Sequence, residues 1–338
     1  MATVTTTNPA SIANTLQRYY SRKLLSTIEK QLVLAQFGQK QTLPRKLGDA
    51  KIRFFRFGEP STTGIQDLTE GTPISESAYR ELSVEYVDVD LTQVGQVVAL
   101  TDVLQAVEIL NFLDEATEIN GKDLALYLDT TIRNELAKHT GTSGGVDYSQ
   151  KNFVYGGTKT SYSGVYNSGS YTSDAVITST NLADAATALK IQNCPRVGGY
   201  YIGVVAPQVA RDLMVYDDVW LRVSEYQDKE NIYRGEVGRM LGIRILETTN
   251  PFRSNTQGTY NENGVVFSSF VFGNETYGTV SMQGQSPYAP RMYILNTADK
   301  TDPLNQKTLI GFKAWFAAKL LQPKWLVEIY SQTGYGNT

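Results

Sequence analysis

The chain has 338 residues, 41% of them hydrophobic and 19% charged, with a formal net charge of −3. That is enough apolar chain to bury a sizeable core, as one large domain or two interleaved ones, and it excludes both global disorder and a protein that coats nucleic acid by bulk positive charge. No run approaches the ~18 apolar residues of a membrane helix. Residues 1–14 are polar and Thr-rich, without the basic start and apolar centre of a secretory signal, so a soluble chain that stays where it is made is expected.

The first 53 residues form a basic arm. Arg18, Arg22, Lys23, Lys30, Lys40, Arg45, Lys46, Lys51 and Arg53 stand against Glu29 and Asp49, a net +7. The next segment, 54–101, reverses the sign to −6, with Arg56 and Arg80 against Glu59, Asp67, Glu70, Glu76, Glu81, Glu85, Asp88 and Asp90. Such asymmetry between neighbouring segments is one way a chain specifies contacts with copies of itself. Within it, 50–57 and 82–91 read as strands. The second alternates at Leu82, Val84 and Tyr86, then at Val87, Val89 and Leu91, a change of phase that one bulged residue would produce. Turn formers fill 58–79, giving a long two-stranded loop that is marginal in water unless something holds it.

The strongest helix signal spans 102–138, with Thr101 or Asp102 placed to cap its start. Val103, Val107, Leu110, Leu113, Leu124, Leu128, Ile132 and Leu136 form one apolar stripe. Gly121 interrupts the run, so one kinked helix and two abutting helices both fit. Unbroken, the helix would run roughly 55 Å, a beam lying on a sheet.

Residues 151–174 set Tyr155, Tyr162, Tyr166 and Tyr171 among turn formers, the texture of a long surface loop or floppy hairpin that could also make contacts. Beyond it a helix is expected at 181–192, a strand at 200–206, a helix at 207–216 with Pro at its first turn, and strands at 242–247 and 264–272, a compact α+β unit with antiparallel-looking strands. The tail reads as a strand pair: Ile310, Phe312, Ala314, Phe316, Ala318 and Leu320 share a face, Gln322-Pro323 breaks the run, and Trp325, Val327 and Ile329 resume it.

The residues of catalysis are sparse. Cys194, the single cysteine, reads as a small buried hydrophobe and excludes a disulfide framework or cysteine metal cage. His139, the single histidine, reads as a capping or solvent-facing residue at the negative end of the long helix. The two would meet as a nucleophilic pair only by coincidence of folding, and no Gly-x-Ser-x-Gly elbow or phosphate-binding loop is present. Glycine clusters at 141–145 and 235–238 read as turns, and Asp217-Asp218 and Asp88/Asp90 as solvated acids. A structural or binding role is therefore expected, with no enzymatic activity, metal or cofactor.

The order of parts, with three worded stretches, resembles the major capsid proteins of tailed double-stranded DNA bacteriophages, the Hong Kong 97-type fold, and in wording the phage N4-type branch. The stretches are Thr62-Thr63-Gly64-Ile65 with Leu68-Thr69-Glu70-Gly71-Thr72-Pro73, Val98-Ala99-Leu100-Thr101-Asp102, and Ile310-Gly311-Phe312-Lys313-Ala314-Trp315-Phe316-Ala317-Ala318-Lys319 followed by Trp325. The segment order covers nearly the whole chain.

The resemblance implies an α+β shell subunit. Its parts would be an N-terminal arm (1–49), an extended loop (50–101), a peripheral domain holding the spine helix and long C-terminal strands (102–178 and 285–338), and an axial domain (179–284). It implies hexamers and pentamers of one chain in an icosahedral head, a portal, scaffolding and decoration proteins as further partners, packaged double-stranded DNA touched non-specifically, no membrane, and assembly in the bacterial host cytoplasm. Because relatives often carry a scaffold-like extension and little precedes Asn14 here, a separate scaffold or none is expected. The loop would lie over a neighbouring subunit. Arg18, Arg22, Lys23, Arg45, Lys46 and Arg53 of the arm would then meet Glu59, Asp67, Glu70, Glu76, Glu81 and Glu85 of a neighbour's loop, alongside or instead of facing DNA. Leu110, Leu113, Leu128, Phe312, Trp315 and Trp325 would form the core under the spine helix. The competing reading is a carbohydrate-binding or adhesive β-rich protein that keeps Trp220, Trp315 and Trp325 at its surface as stacking platforms; a hydrolase with an unrecognised carboxylate site ranks third.

Overall fold

The computed structural model describes residues 33–44, 49–57, 84–102, 112–216, 236–284, 290–295 and 306–335, with single positions at 65, 67, 70, 71, 79, 287, 303 and 304. In chain order, β1 (Gln39–Leu43) precedes a hairpin of β2 (Lys51–Phe57) and β3 (Val84–Asp90), then β4 (Thr92–Thr101) and helix α1 (Phe112–Ala137). A tight hairpin of β5 (Thr142–Ser143) and β6 (Val146–Asp147) leads to β7 (Asn152–Tyr155), the short helix α2 (Tyr162–Tyr166), α3 (Ser179–Ile191), β8 (Tyr201–Val205) and α4 (Pro207–Tyr216). β9 (Glu236–Met240), β10 (Ile243–Glu247), β11 (Phe252–Ser254), β12 (Val266–Phe272) and β13 (Tyr277–Met282) follow, then β14 (Arg291–Leu295), β15 (Lys307–Leu320) and β16 (Leu326–Ser331).

Two sheets carry the body. A five-stranded sheet runs β1-β13-β15-β14 with β4 also on β15, and a seven-stranded sheet runs β7-β16-β12-β8-β10-β9 with β11 on β12. The seven-stranded sheet is mixed, since β8 pairs β10 and β7 pairs β16 in parallel. It draws β7 and β16 from chain segments outside 179–284.

Helix α1 is continuous through Gly121 and is about 39 Å long over its 26 residues; residues 103–111 lie outside the described residues. Its Leu124, Leu128, Ile132 and Leu136, each a turn apart, are fully buried against Phe312, Phe316 and Leu320 of β15 and Phe270 and Phe272 of β12. Burial of this kind contributes about 1.5–3 kcal/mol per side chain, which is why a single stripe suffices to seat so long a helix. On the other face of the seven-stranded sheet, Leu182 and Leu189 of α3 and Val209 and Leu213 of α4 pack on Val271, Val327 and Ile329 as a second core. Cys194 belongs to it, and burial pushes the thiol up to about 12.

Several expectations are corrected. The tail is not a strand pair: β15 and β16 lie in different sheets, because Pro323 opens a 3-10 turn that redirects the chain between them. Residues 236–240 are a strand and not a turn, with Gly238 opposite Ile245. The Tyr-rich segment is folded rather than a plain loop. Phe153, Tyr155, Tyr162 and Tyr166 pack with Val165, Ala175, Val266 and Tyr330 in a third core. Its backbone is satisfied by two buried amides: Asn181 donates to Tyr155 O and accepts from the Gly157 N–H, and Gln332 donates to Ser170 O and accepts from the Thr172 N–H. Lys151, at the head of this segment, is fully buried and bonds to Glu328 Oε2 at 2.6 Å and to Leu136 O at the end of α1 at 2.7 Å. His139 is no solvent-facing cation: its half-buried ring stands edge-on to Phe153 at 4.8 Å, and burial, then the Lys151 charge, hold its pKa below the usual imidazole value.

Candidate functional site

The β2–β3 hairpin joins an anchored face to an exposed one. Its ladder is regular from Lys51 opposite Asp90 to Phe57 opposite Val84, without the expected bulge. The apparent change of phase in the sequence is a change of face. Ile52, Phe54, Val87 and Val89 point into the first core, whereas Phe55, Phe57, Val84 and Tyr86 point outward. Phe55 is 68% exposed and Phe57 62%, and their cross-strand partners Tyr86 and Val84 are about half exposed. Four contiguous outward apolar residues are a patch that marks an interaction surface rather than scattered exposure.

The inner face is seated within the chain. The Phe54 ring lies over Gly278 of β13, where a Cβ would come within 2.8 Å of Phe54 Cζ and 3.2 Å of Leu321 Cδ1. Arg56 donates to the Leu321 carbonyl at 3.4 Å and bonds to the Gln322 side chain and to Glu85. On the outer face the charges near the hairpin base pair across the strands. Arg53 makes a two-pronged contact with Asp88 at 2.7 and 2.9 Å and lies 4.2 Å over the Tyr86 ring; Lys51 sits 3.2 Å from Asp90. The hydrogen bond to Asp88 raises the Arg53 pKa, and the same bond holds the Asp88 carboxyl below its usual range. Arg53 and Glu85 are thus partnered inside the hairpin, which lowers the charge they offer to any other surface.

Of the other expected contact residues, Asp67 and Glu70 are exposed, while Arg18, Arg22, Lys23, Arg45, Lys46, Glu59, Glu76 and Glu81 lie outside the described residues. Under the spine helix, Leu128 and Phe312 are buried; Trp315, half-buried, packs against the first core from the alternate face of β15. Leu110 lies outside the described residues, and for Leu113 only the backbone is described. Trp325 is corrected: it packs against the second core and donates its indole N–H to Gln192 O at 3.2 Å, because the turn at Pro323 has carried the chain into the other sheet. Neither Trp315 nor Trp325 is a free stacking platform, and Trp220 lies outside the described residues. The four outward hairpin residues were missed by the sequence reading although their i, i+2 spacing signalled them.

A second apolar surface lies over β4, β14 and β15, a groove of about 400 Å³ whose lining includes Val97, Tyr293, Leu295, Leu309 and Phe312. Among the described residues no three His, Cys, Asp or Glu gather as a metal site, and no helix is long and apolar enough to cross a membrane.

No protein-family model and no curated protein matches the chain. Solved structures do match its fold. The capsid of the cyanophage P-SCSP1u is 16% identical, the match covering 90% of this chain and 89% of that one at a TM-score of 0.62. The capsid of Ralstonia phage GP4 is 13% identical, with 89% and 88% covered and a TM-score of 0.62. The capsid of cyanophage Pam1 is 15% identical, with 88% and 89% covered and a TM-score of 0.60. The class these likenesses define is the α+β, Hong Kong 97-type phage capsid fold, and the chain has that fold over most of its length.

Proposed function

We propose that the chain is the major capsid protein of a tailed double-stranded DNA phage, a non-enzymatic subunit that assembles through hexamers and pentamers into the icosahedral head. The observation that carries this reading is a capsid fold over most of the chain in which the hairpin, seated on the body by one face, presents a second apolar face that nothing among the described residues covers. Two different exposed apolar surfaces on one chain, the hairpin face and the groove over β4, β14 and β15, suit a head-to-tail contact between copies, the kind that closes rings and shells. The hairpin of one subunit would lie on the groove of the next. Around it, Arg18, Arg22, Lys23, Arg45 and Lys46 would meet the acids Glu59, Asp67, Glu70, Glu76 and Glu81 of a neighbour, with the pairs made by Arg53 and Glu85 kept within each hairpin.

Residues 102–178 and 285–338 would serve as the peripheral domain and 179–284 as the axial domain around capsomer centres. The three worded stretches favour the phage N4-type branch. The head would form in the host cytoplasm with a portal, scaffolding and decoration proteins as partners and packaged DNA contacting the inner wall non-specifically. Negative-stain microscopy with sedimentation of the purified chain tests the reading. Closed shells, rings or curved sheets are expected, lost on Phe57→Ser and weakened by salt or by reversing Arg45 and Lys46 to Glu. A chain that stays monomeric at high concentration, even with a scaffolding partner added, would overturn it.

A further inference from the structure

A long two-stranded hairpin is not stable by itself, and burying one face of it fixes how deeply it sits but not the direction in which it leaves the body. We propose that the glycine turn between β5 and β6, braced by Lys319 and Glu135, is the positioning element that sets this direction. The turn meets β3 edge-on: the Asp88 N–H donates to Gly144 O at 2.9 Å. Gly144 and Gly145 have φ of +58° and +86°, and a Cβ on the first would run into the Asp88 carbonyl oxygen, on the second into that of Tyr86. Conformation and close approach thus each demand glycine, at two successive positions against one strand.

The turn is itself braced. Lys319 of β15, nearly buried, donates to Ser143 Oγ at 3.0 Å and stands 3.5 Å from Glu135 Oε1. Glu135, in the last turn of α1, is also bonded to the Tyr148 hydroxyl and to Lys138 at 2.5 Å, and both lysines lie over the Tyr148 ring at 5.4 and 5.5 Å. A continuous chain of contacts therefore runs from the end of the spine helix through Lys319 and the turn to the middle of β3. Its bearing on particle curvature rests on the capsid reading; its role in holding the hairpin does not.

Hydrogen exchange over 84–90 in the unassembled subunit tests the seat. Gly145→Ala should speed exchange there by about tenfold or more, as loss of a local anchoring contact does. Gly198→Ala is the control, because Gly198 has a φ of +57° with open space where its Cβ would go and lies in the turn before β8, outside the β5–β6 hairpin; it should leave 84–90 unchanged. If Gly145→Ala does not fold, Ser143→Ala and Lys319→Met leave the turn backbone intact and should speed the same amides about two- to fivefold. Unchanged exchange in folded variants, or equal acceleration by Gly198→Ala, overturns the positioning role. In assembled material the active variants should broaden the distribution of particle diameters; faster exchange with unaltered diameters overturns the link to curvature. A wild-type chain that fails to assemble removes the capsid reading and leaves the exchange result to decide the seat.

Discussion

Strand β12 and the β2–β3 hairpin contain strands of the same length, seven residues, and put them to opposite uses. β12 is hydrogen-bonded to β16, β8 and β11 and lies between two cores, so every one of its positions is buried, including Ser268 and Ser269. The hairpin strands have one buried face, a turn against one edge, and an outer face that alternates Lys51, Arg53, Phe55 and Phe57. A strand covered on both faces contributes to stability at every position. A strand covered on one face divides the task, because its inner row holds it to the body while Phe55 and Phe57 of its outer row stay exposed.

Substitutions that remove equal amounts of apolar surface on the two sides should therefore differ in kind. Phe272→Ala, at a fully buried position of β12, should cost about 3–5 kcal/mol in urea unfolding, whereas Phe57→Ala should change stability by less than about 0.5 kcal/mol while reducing assembly. Equal stability losses would erase the distinction.

The buried Lys151–Glu328 pair should respond almost as strongly. Lys151→Met leaves a buried, unpaired carboxylate and should cost about 3–5 kcal/mol, and adding Glu328→Leu should restore most of it, as apolar replacement of both members of a buried pair does. A double-mutant cycle in chemical denaturation measures the coupling.

Gly278→Val sharpens the comparison within the hairpin. It crowds the Phe54 ring and should cost about 1–3 kcal/mol, with protease sensitivity rising in the hairpin before the seven-stranded sheet is affected. Simultaneous loss of both would mean that the hairpin is not a separately seated unit.

The smallest effect is expected at Cys194. Its folded thiol is raised from 9.0 to about 12 by burial, so the neutral form is favoured in the fold. That stabilising contribution is complete below about pH 9 and is lost as pH rises toward 12. At pH 8 the folded protein should leave a thiol reagent unreacted until denaturant is added; rapid labelling without unfolding would contradict the burial.

The hairpin also shows where legibility stopped. The boundaries of β2 and α4, the end of β15 before Gln322-Pro323 and the α1 stripe from Leu124 to Leu136 could be read from the chain, because period and punctuation are local. The outer row was misassigned for a physical reason: both faces of β3 carry apolar residues, and two apolar rows in succession look like one row interrupted by a bulge until it is known which face is covered. The Tyr-rich segment was read as a loop because its composition is polar, and what folds it lies far away in sequence, Glu328 for Lys151 and Gln332 for Tyr166, Ser170 and Thr172.

The sequence by itself determined the order of the parts, most of their limits and the buried stripe of the spine helix, all of which depend on spacing along the chain. Tertiary structure alone decided that β15 and β16 enter different sheets, that Trp325 serves the second core, that Arg53 and Glu85 are satisfied at home, and that two glycines grip the edge of β3. Each of these depends on which distant surface removes water from a side chain or reaches a backbone group, and no local pattern records that.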